Sequence, residues 1–274
     1  MIKKLCVLIF VFINILNADV LHNKIINLIG QNDYNRNKNI INVLFNDRNK
    51  FFLGGELKVV AVLEELKNNG LLKLNFNDPK DFILEFEIVD KSINGIYVVN
   101  SVLNKLGYYY YFTQNVQKDS TQNLLKWDII LNTEYIVDPV LLSNEFSKNQ
   151  VKIVDVTKKE HNIWTYRLDM KVSRVPDTIK VSTNEKISLQ KPLKPYMIEI
   201  GDAKELNVTS KRLDNWFPYI IFFDEMLRPL YIISKNERYS GLKSAIPDGT
   251  KYIQIGDLYN LVNIKRGLTL VIKG

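Results

Sequence analysis

The sequence predicts an α+β protein with a short N-terminal helical lobe, a middle domain mixing helices with strands, and a C-terminal β-sandwich. Three observations predict it. Apolar residues recur at helical spacing through the first seventy or so positions. The period then falls to two, with helical interruptions. Beyond Val175-Pro176 only short strand-like runs remain. The expected limits are 1–18 for an export leader, 19–70 for the helical lobe, 71–175 for the middle domain and 176–274 for the sandwich.

The leader comes first. Met1-Ile2-Lys3-Lys4 is a short cationic start, and Leu5 to Leu16 is an apolar run broken only by Asn14. Leu16-Asn17-Ala18 places a small residue just before Asp19, the layout of a secretory signal peptide cleaved after Ala18. A spanning helix needs about 20 apolar residues, which this run does not reach. No second segment is long and apolar enough, so no membrane span is expected after cleavage. The single Cys, Cys6, lies inside the leader. The mature chain is thus expected to lack disulfides, thiolate catalysis and Cys-based zinc sites. Periplasmic localisation follows as the expectation.

Composition narrows the class. The 274 residues are 46% hydrophobic and 24% charged, which excludes disorder, collagen-like repeats and a multi-span membrane protein. The chain holds 30 Asn, scattered rather than clustered, which reads as codon bias in an AT-rich genome. Residues 19–173 carry 19 basic and 19 acidic side chains, whereas residues 174–274 carry 16 and 11. The mature excess of positive charge therefore sits in the last hundred residues. It suits lipid head groups, cell-wall polymer or acidic proteins, or is a solubilising surface. No long Lys/Arg run marks a nucleic-acid stripe, and no nucleic-acid partner is expected.

In the helical lobe, Leu21, Ile25, Leu28 and Ile29 share one helix face, and Gly30 ends the pattern. A second helix is expected over Asp33–Asp47 with Tyr34, Ile41, Leu44 and Phe45 inward. A third covers Glu56–Lys67 with Leu57, Val60, Leu63 and Leu66 inward, stopped by Asn68-Asn69-Gly70. Three short helices have little core of their own.

In the middle domain, Phe82, Leu84, Phe86 and Ile88 alternate with Ile83, Glu85 and Glu87, a strand with one wetter face. Asp90 precedes a helix that carries Val99 and Leu103 and closes at Gly107. Tyr108–Val116 reads as an aromatic strand returning through Lys118–Asn123 into Leu124–Leu131. Asp138-Pro139 gives an N-cap followed by proline at the first helical position, where its missing N–H costs nothing. Strands follow over Val151–Thr157 and Ile163–Ser173, the second with Trp164, Tyr166, Leu168, Met170 and Val172 on one side. Ile88-Val89-Asp90 and Ile136-Val137-Asp138 echo one another at strand-to-helix junctions. The order β-α-β-β-α-β-β is that of a ferredoxin-like split βαβ domain with an extra hairpin strand.

Past Pro176, strands are expected over 179–182, 187–189, 196–200, 219–223, 230–234, 251–255 and 268–272, spaced as in a β-sandwich. The segment from Ala245 to Ile255, with Ile246-Pro247-Asp248-Gly249-Thr250 before a Tyr-bearing strand, resembles the closing strands of galactose-binding-like and carbohydrate-binding β-sandwiches. The Asn/Lys/Ile-rich character, the leader ending Leu-Asn-Ala and the cysteine-free mature chain resemble periplasmic proteins of Campylobacter and Helicobacter relatives. That resemblance implies a place among envelope proteins, including those that elaborate the flagellar motor.

The chemistry-bearing residues are sparse. His22 and His161 are the only histidines, and neither has an acidic or second His neighbour at metal-ligand spacing. Glu85/Glu87 share a strand face, and Asp224/Glu225 fall in an expected hairpin loop. No catalytic residues, metal ligands or cofactor are expected, and the chain is read as a non-enzyme. Tyr109, Tyr111, Trp164 and Tyr166 are expected to fill a sheet–helix core. Trp216, Phe217 and Tyr219 form the candidate binding surface, since Asn215 and Pro218 suggest a loop. Asn207-Val208-Thr209, with Glu205 two residues before, is a candidate glycosylation sequon in an expected loop. Two functions remain open: an adaptor or scaffold binding other envelope proteins in support of flagellar motor assembly or motility, and a carbohydrate- or peptidoglycan-binding protein acting through the sandwich.

Overall fold

The structure is a computed structural model that describes residues 19–274 apart from Lys91. The export leader expected over 1–18 lies outside the described residues. The described residues are mixed α and β, about 25% helix and 41% strand, and the contacts divide the chain into two units that meet in sequence at Arg174 and Val175. No described helix is long and apolar enough to cross a membrane.

The first unit opens with helix α1 over residues 19–29, then α2 (Gln31–Arg36) and α3 (Lys38–Leu44). The single helix expected over 33–47 is broken at Asn37. There the side-chain amide donates to the Asp33 carbonyl at 2.9 Å, offering the backbone an alternative to helical continuation. The third helix also starts later than expected. Gly54 and Gly55, at φ 59° and 87°, turn a two-residue hairpin that pairs β1 (Phe52–Leu53) with β2 (Glu56–Leu57). Both φ values lie where only glycine is comfortable, and a Gly-Gly pair suits the turn. Helix α4 then runs Val59–Asn68 with Val62, Leu63 and Leu66 fully buried.

The remaining elements are β3 (Asn75–Val89), α5 (Ser92–Lys105), β4 (Phe112–Asp119), β5 (Leu124–Tyr135), α6 (Pro139–Lys148), β6 (Lys152–Glu160) and β7 (Ile163–Asp169). Asp138 caps α6 by accepting from the N–H groups of Val140 and Leu141. The β-α-β-β-α-β-β order appears as expected, but the sheet runs β4-β5-β3-β7-β6. In the split βαβ pattern β6 would lie beside β3. Here β7 takes that place, parallel to β3, and β6 is pushed to the edge. The exchange is driven by burial: Trp164, Tyr166 and Leu168 of β7 are wholly buried, while β6 alternates less cleanly. Strand β7 ends at Asp169, so Val172 is exposed rather than in line with Met170.

On one sheet face Phe82, Leu84, Phe86 and Ile88 are fully buried. They join Leu21, Ile25 and Leu28 of α1 and the inward residues of α4, α5 and α6 in one cluster. Residues 19–70 therefore do not form a lobe with its own core. Short helices bury too little surface alone, and theirs is completed by the sheet.

The second unit holds two sheets whose apolar sides share one cluster. The first has the order β13-β12-β15-β10-β8, from β8 (Thr178–Val181), β10 (Tyr196–Ile200), β12 (Pro218–Phe223), β13 (Pro229–Ser234) and β15 (Tyr252–Asp257). The second runs β14-β11-β16-β9, from β9 (Lys186–Ser188), β11 (Glu205–Ser210), β14 (Gly241–Ala245) and β16 (Leu268–Lys273). Strands β11 and β14 were not anticipated. Gly267, at φ 81°, lets the chain enter β16 so closely that a Cβ would lie 1.9 Å from the Leu189 carbonyl oxygen.

Candidate binding surfaces

The sequence-derived site does not survive as drawn. Trp216 is fully buried in the second unit's core and donates its indole N–H to the Gly256 carbonyl at 2.8 Å. It is an anchor, not a platform. Phe217 and Tyr219 are part-exposed; Phe217 packs edge-on against Tyr259, with ring centroids 5.0 Å apart. Asp257 holds the same corner by accepting from the N–H groups of Phe217, Tyr259 and Asn260. The loop expected around Asn215 and Pro218 is displaced: the turn closes earlier, at Lys211–Asp214, Trp216 bridges to Tyr239, and Pro218 opens β12.

Asn207 is also placed differently. It sits in the middle of β11, paired with Lys243 of β14 and Val271 of β16, and its amide donates to Glu205 at 2.9 Å. Hydrogen bonds from Lys243 and Asn207 hold the Glu205 carboxyl down at about 2. A central strand replaces the expected loop. The missed signal was the alternation of buried Leu206 and Val208 with Glu205, Asn207 and Thr209.

Neither histidine meets a carboxylate partner in the contacts seen. His22 packs edge-on against Tyr34 at 4.5 Å, and His161 against Phe76 at 5.4 Å. Burial, then the charges of Lys158, Lys80 and Lys73, push the His161 pKa below its ordinary value. Asp224 is nearly buried in the β12–β13 turn, where it accepts from the N–H groups of Met226 and Arg228 and pairs with the Arg228 guanidinium at 2.6 Å. Those bonds close a turn. Among the described residues no group of three His, Cys, Asp or Glu is arranged to hold a metal ion.

The first unit offers two surfaces that the sequence did not single out. One is a groove of about 1340 Å³ bounded by the β1–β2 hairpin, the start of α4, α6 and the N-terminal half of β6. Its walls are largely apolar, and Leu53, Val172 and Val20 are 72%, 68% and 49% exposed there. The glycine turn pushes Leu53 out, and the early end of β7 frees Val172.

The other is the open face of the sheet. Register aligns Phe112, Ile130, Ile83 and Ile163 across β4, β5, β3 and β7 in one apolar row. The next two rows are polar. Burial would raise the Glu85 carboxyl, but hydrogen bonds from Lys159 and from Thr165 at 2.6 Å outweigh it and hold it below the usual range. Glu87 pairs with Arg167 at 3.1 Å and lies 3.8 Å from Lys126. The aromatic strand expected over 108–116 is shifted. Residues 108–111 are irregular, Trp164 and Tyr166 are core as expected, but Tyr109 is 66% exposed and Tyr111 only half-buried.

The two edges of this sheet differ. At β6, helix α1 supplies substitutes for a neighbouring strand. Asn27 donates to the Lys158 carbonyl and accepts from the Lys158 N–H, both at 3.0 Å. Lys24 donates to the Val156 carbonyl at 3.1 Å and pairs with Asp155 at 2.7 Å. At β4 most residues are exposed and no further strand lies beyond it among the described residues.

No family model matches the chain, and no curated protein matches it. Among solved structures it is similar to the pre-peptidase C-terminal domain of a collagenase from Bacillus anthracis, at 15% identity and a TM-score of 0.28, over 37% of this chain and 99% of that one.

Proposed function

We propose that this chain is an exported, non-enzymatic adaptor that binds an extended apolar segment of another envelope protein in the groove beside β6. The carrying observation is the groove itself. Leu53, Val20 and Val172 leave apolar surface in water at one concave place, and such surface marks interaction sites. The groove lies next to β6 residues that precede those covered by Asn27 and Lys24, so an extended segment meets both apolar walls and strand backbone. Export is supported by the Met1–Ala18 pattern, and a role in flagellar motor assembly or motility is the specific setting within this class. In the sugar-binding alternative Trp216 would be the stacking platform, and its burial removes the observation that favoured it.

A photo-crosslinking residue at position 53 tests the reading in the living host. It should capture one protein in the envelope fraction, and Val172→Glu should abolish the capture without changing the circular dichroism of the chain. Capture unaffected by Val172→Glu, or retention on isolated peptidoglycan instead of protein capture, would overturn it.

A further inference from the structure

We infer that β4 is a self-association strand: two copies pair their β4 strands antiparallel about a two-fold axis and join their sheets edge to edge. Sheet edges offer unpaired backbone groups, and soluble proteins ordinarily blunt both edges. This sheet blunts one. Edge β6 is covered by Asn27 and Lys24 of α1, carries Lys152, Lys158 and Lys159, and has two register shifts. Edge β4 carries one register shift, at Gln114, and runs in unbroken pairs from Asn115 to Asp119.

The surface around β4 is also unusually apolar for water. Phe112 is 79% exposed and Val116 51%, and just ahead of the strand Tyr110 is 92% exposed and Tyr109 66%. The lead-in is fixed rather than loose. Tyr111 donates to Asn100 at 2.7 Å, and the Tyr108 N–H donates to the Leu103 carbonyl at 2.9 Å. The aromatic side chains that project are therefore presented at a held position. Phe112 begins the apolar row through Ile130, Ile83 and Ile163, so an edge pairing continues that row into the neighbouring molecule.

Two features select a second copy as the occupant. Residues 112–117 carry no charge, and the only charges on the strand are the adjacent Lys118 and Asp119. Any antiparallel self-pairing centred between 113 and 117 sets both charges opposite uncharged positions, with no like-charge pair. Lys24 and Asn27 of α1 already occupy the backbone of β6 at Val156 and Lys158, so β4 of a neighbour cannot pair along the full length of β6 to grow an open filament. The isologous β4–β4 contact is the closed solution that remains.

Sedimentation velocity of the exported chain across micromolar to millimolar concentration should show a monomer–dimer equilibrium. Val116→Lys and Phe112→Lys, both at exposed positions, should each weaken it at least about tenfold while leaving the far-ultraviolet spectrum intact. Single cysteines at positions 113 to 117 in a Cys6→Ser background should form disulfide dimers with yield peaking at one position and falling on either side, as a two-fold axis requires. A monomer at every concentration overturns the inference. So does a dimer insensitive to both lysine variants, or a flat crosslinking profile.

Discussion

Replacing Trp216 by Ala separates a core anchor from a ligand platform. A Trp buries about 150–250 Å² of surface, worth about 4–6 kcal/mol at ~25 cal/mol/Å² as an upper bound. Core Trp→Ala changes measured elsewhere cost about 3–5 kcal/mol. Because Trp216 is fully buried and its indole N–H satisfies Gly256, the variant also removes one partner of a buried carbonyl, adding about 1 kcal/mol or more. Whole domains are stable by about 5–15 kcal/mol, so the second unit should be close to unfolding. Hydrogen–deuterium exchange on the full chain reads this unit by unit. Peptides from β12, β15 and β16 should lose nearly all protection, whereas those from β3 and β7 should keep theirs. Trp216→Phe should give a smaller loss, since the phenyl ring keeps part of the packing and only the hydrogen bond and the remainder of the indole's volume disappear. The reasoning is refuted if Trp216→Ala keeps native protection in β12 and β15 yet loses retention on a glycan.

The remaining predictions concern the edges and the titrating groups. Asn27→Leu should destabilise the first unit by about 1–3 kcal/mol, because both backbone groups of Lys158 lose their partner, and should increase aggregation on heating; denaturant titration and light scattering read the two effects. The His161 pKa is lowered by folding, so its contribution to stability is complete above the unfolded value near 6.5 and is lost as pH falls through the folded value. The drop in melting temperature between pH 7 and pH 5 should therefore shrink in His161→Gln. For Asn207, an oligosaccharyltransferase offered the folded protein should leave the tryptic peptide 205–211 unmodified, since the acceptor lies in a strand paired on both sides, while the denatured chain is modified; mass spectrometry distinguishes the two.

The local grammar of the chain was legible where short-range chemistry decides it. Asp138-Pro139 set the start of α6, the alternation about Phe82–Ile88 set β3, and the buried face of Trp164–Leu168 set β7. Pairing order was not legible. Whether β6 or β7 lies beside β3 depends on which strand buries the larger side chains against helices far away in sequence, and periodicity within one strand carries no such information. Strand β11 is hard to read in the sequence because Glu205, Asn207 and Thr209 resemble a polar loop, and only the alternating Leu206 and Val208 mark the strand. The candidate site failed for a related reason. Asparagine and proline around Trp216 look like a loop, but Trp216 pairs with Tyr239 and Pro218 tolerates the first position of a strand, so the indole falls inside the sandwich core.

The bonds between Asn27 and Lys158 span 131 positions of chain. A chain made or threaded from its N-terminus exposes α1 long before β6 exists, so Lys24 and Asn27 have no strand to bond until nearly the entire first unit has emerged. Contacts of such separation are slow to close. The interval is the moment of greatest exposure for both partners: Lys24 and Asn27 of α1 lack their strand, and β6, once made, is an open template until α1 arrives. Assistance during maturation should therefore act early and near the N-terminus. A shortened chain that starts beyond residue 30 would keep that template permanently bare.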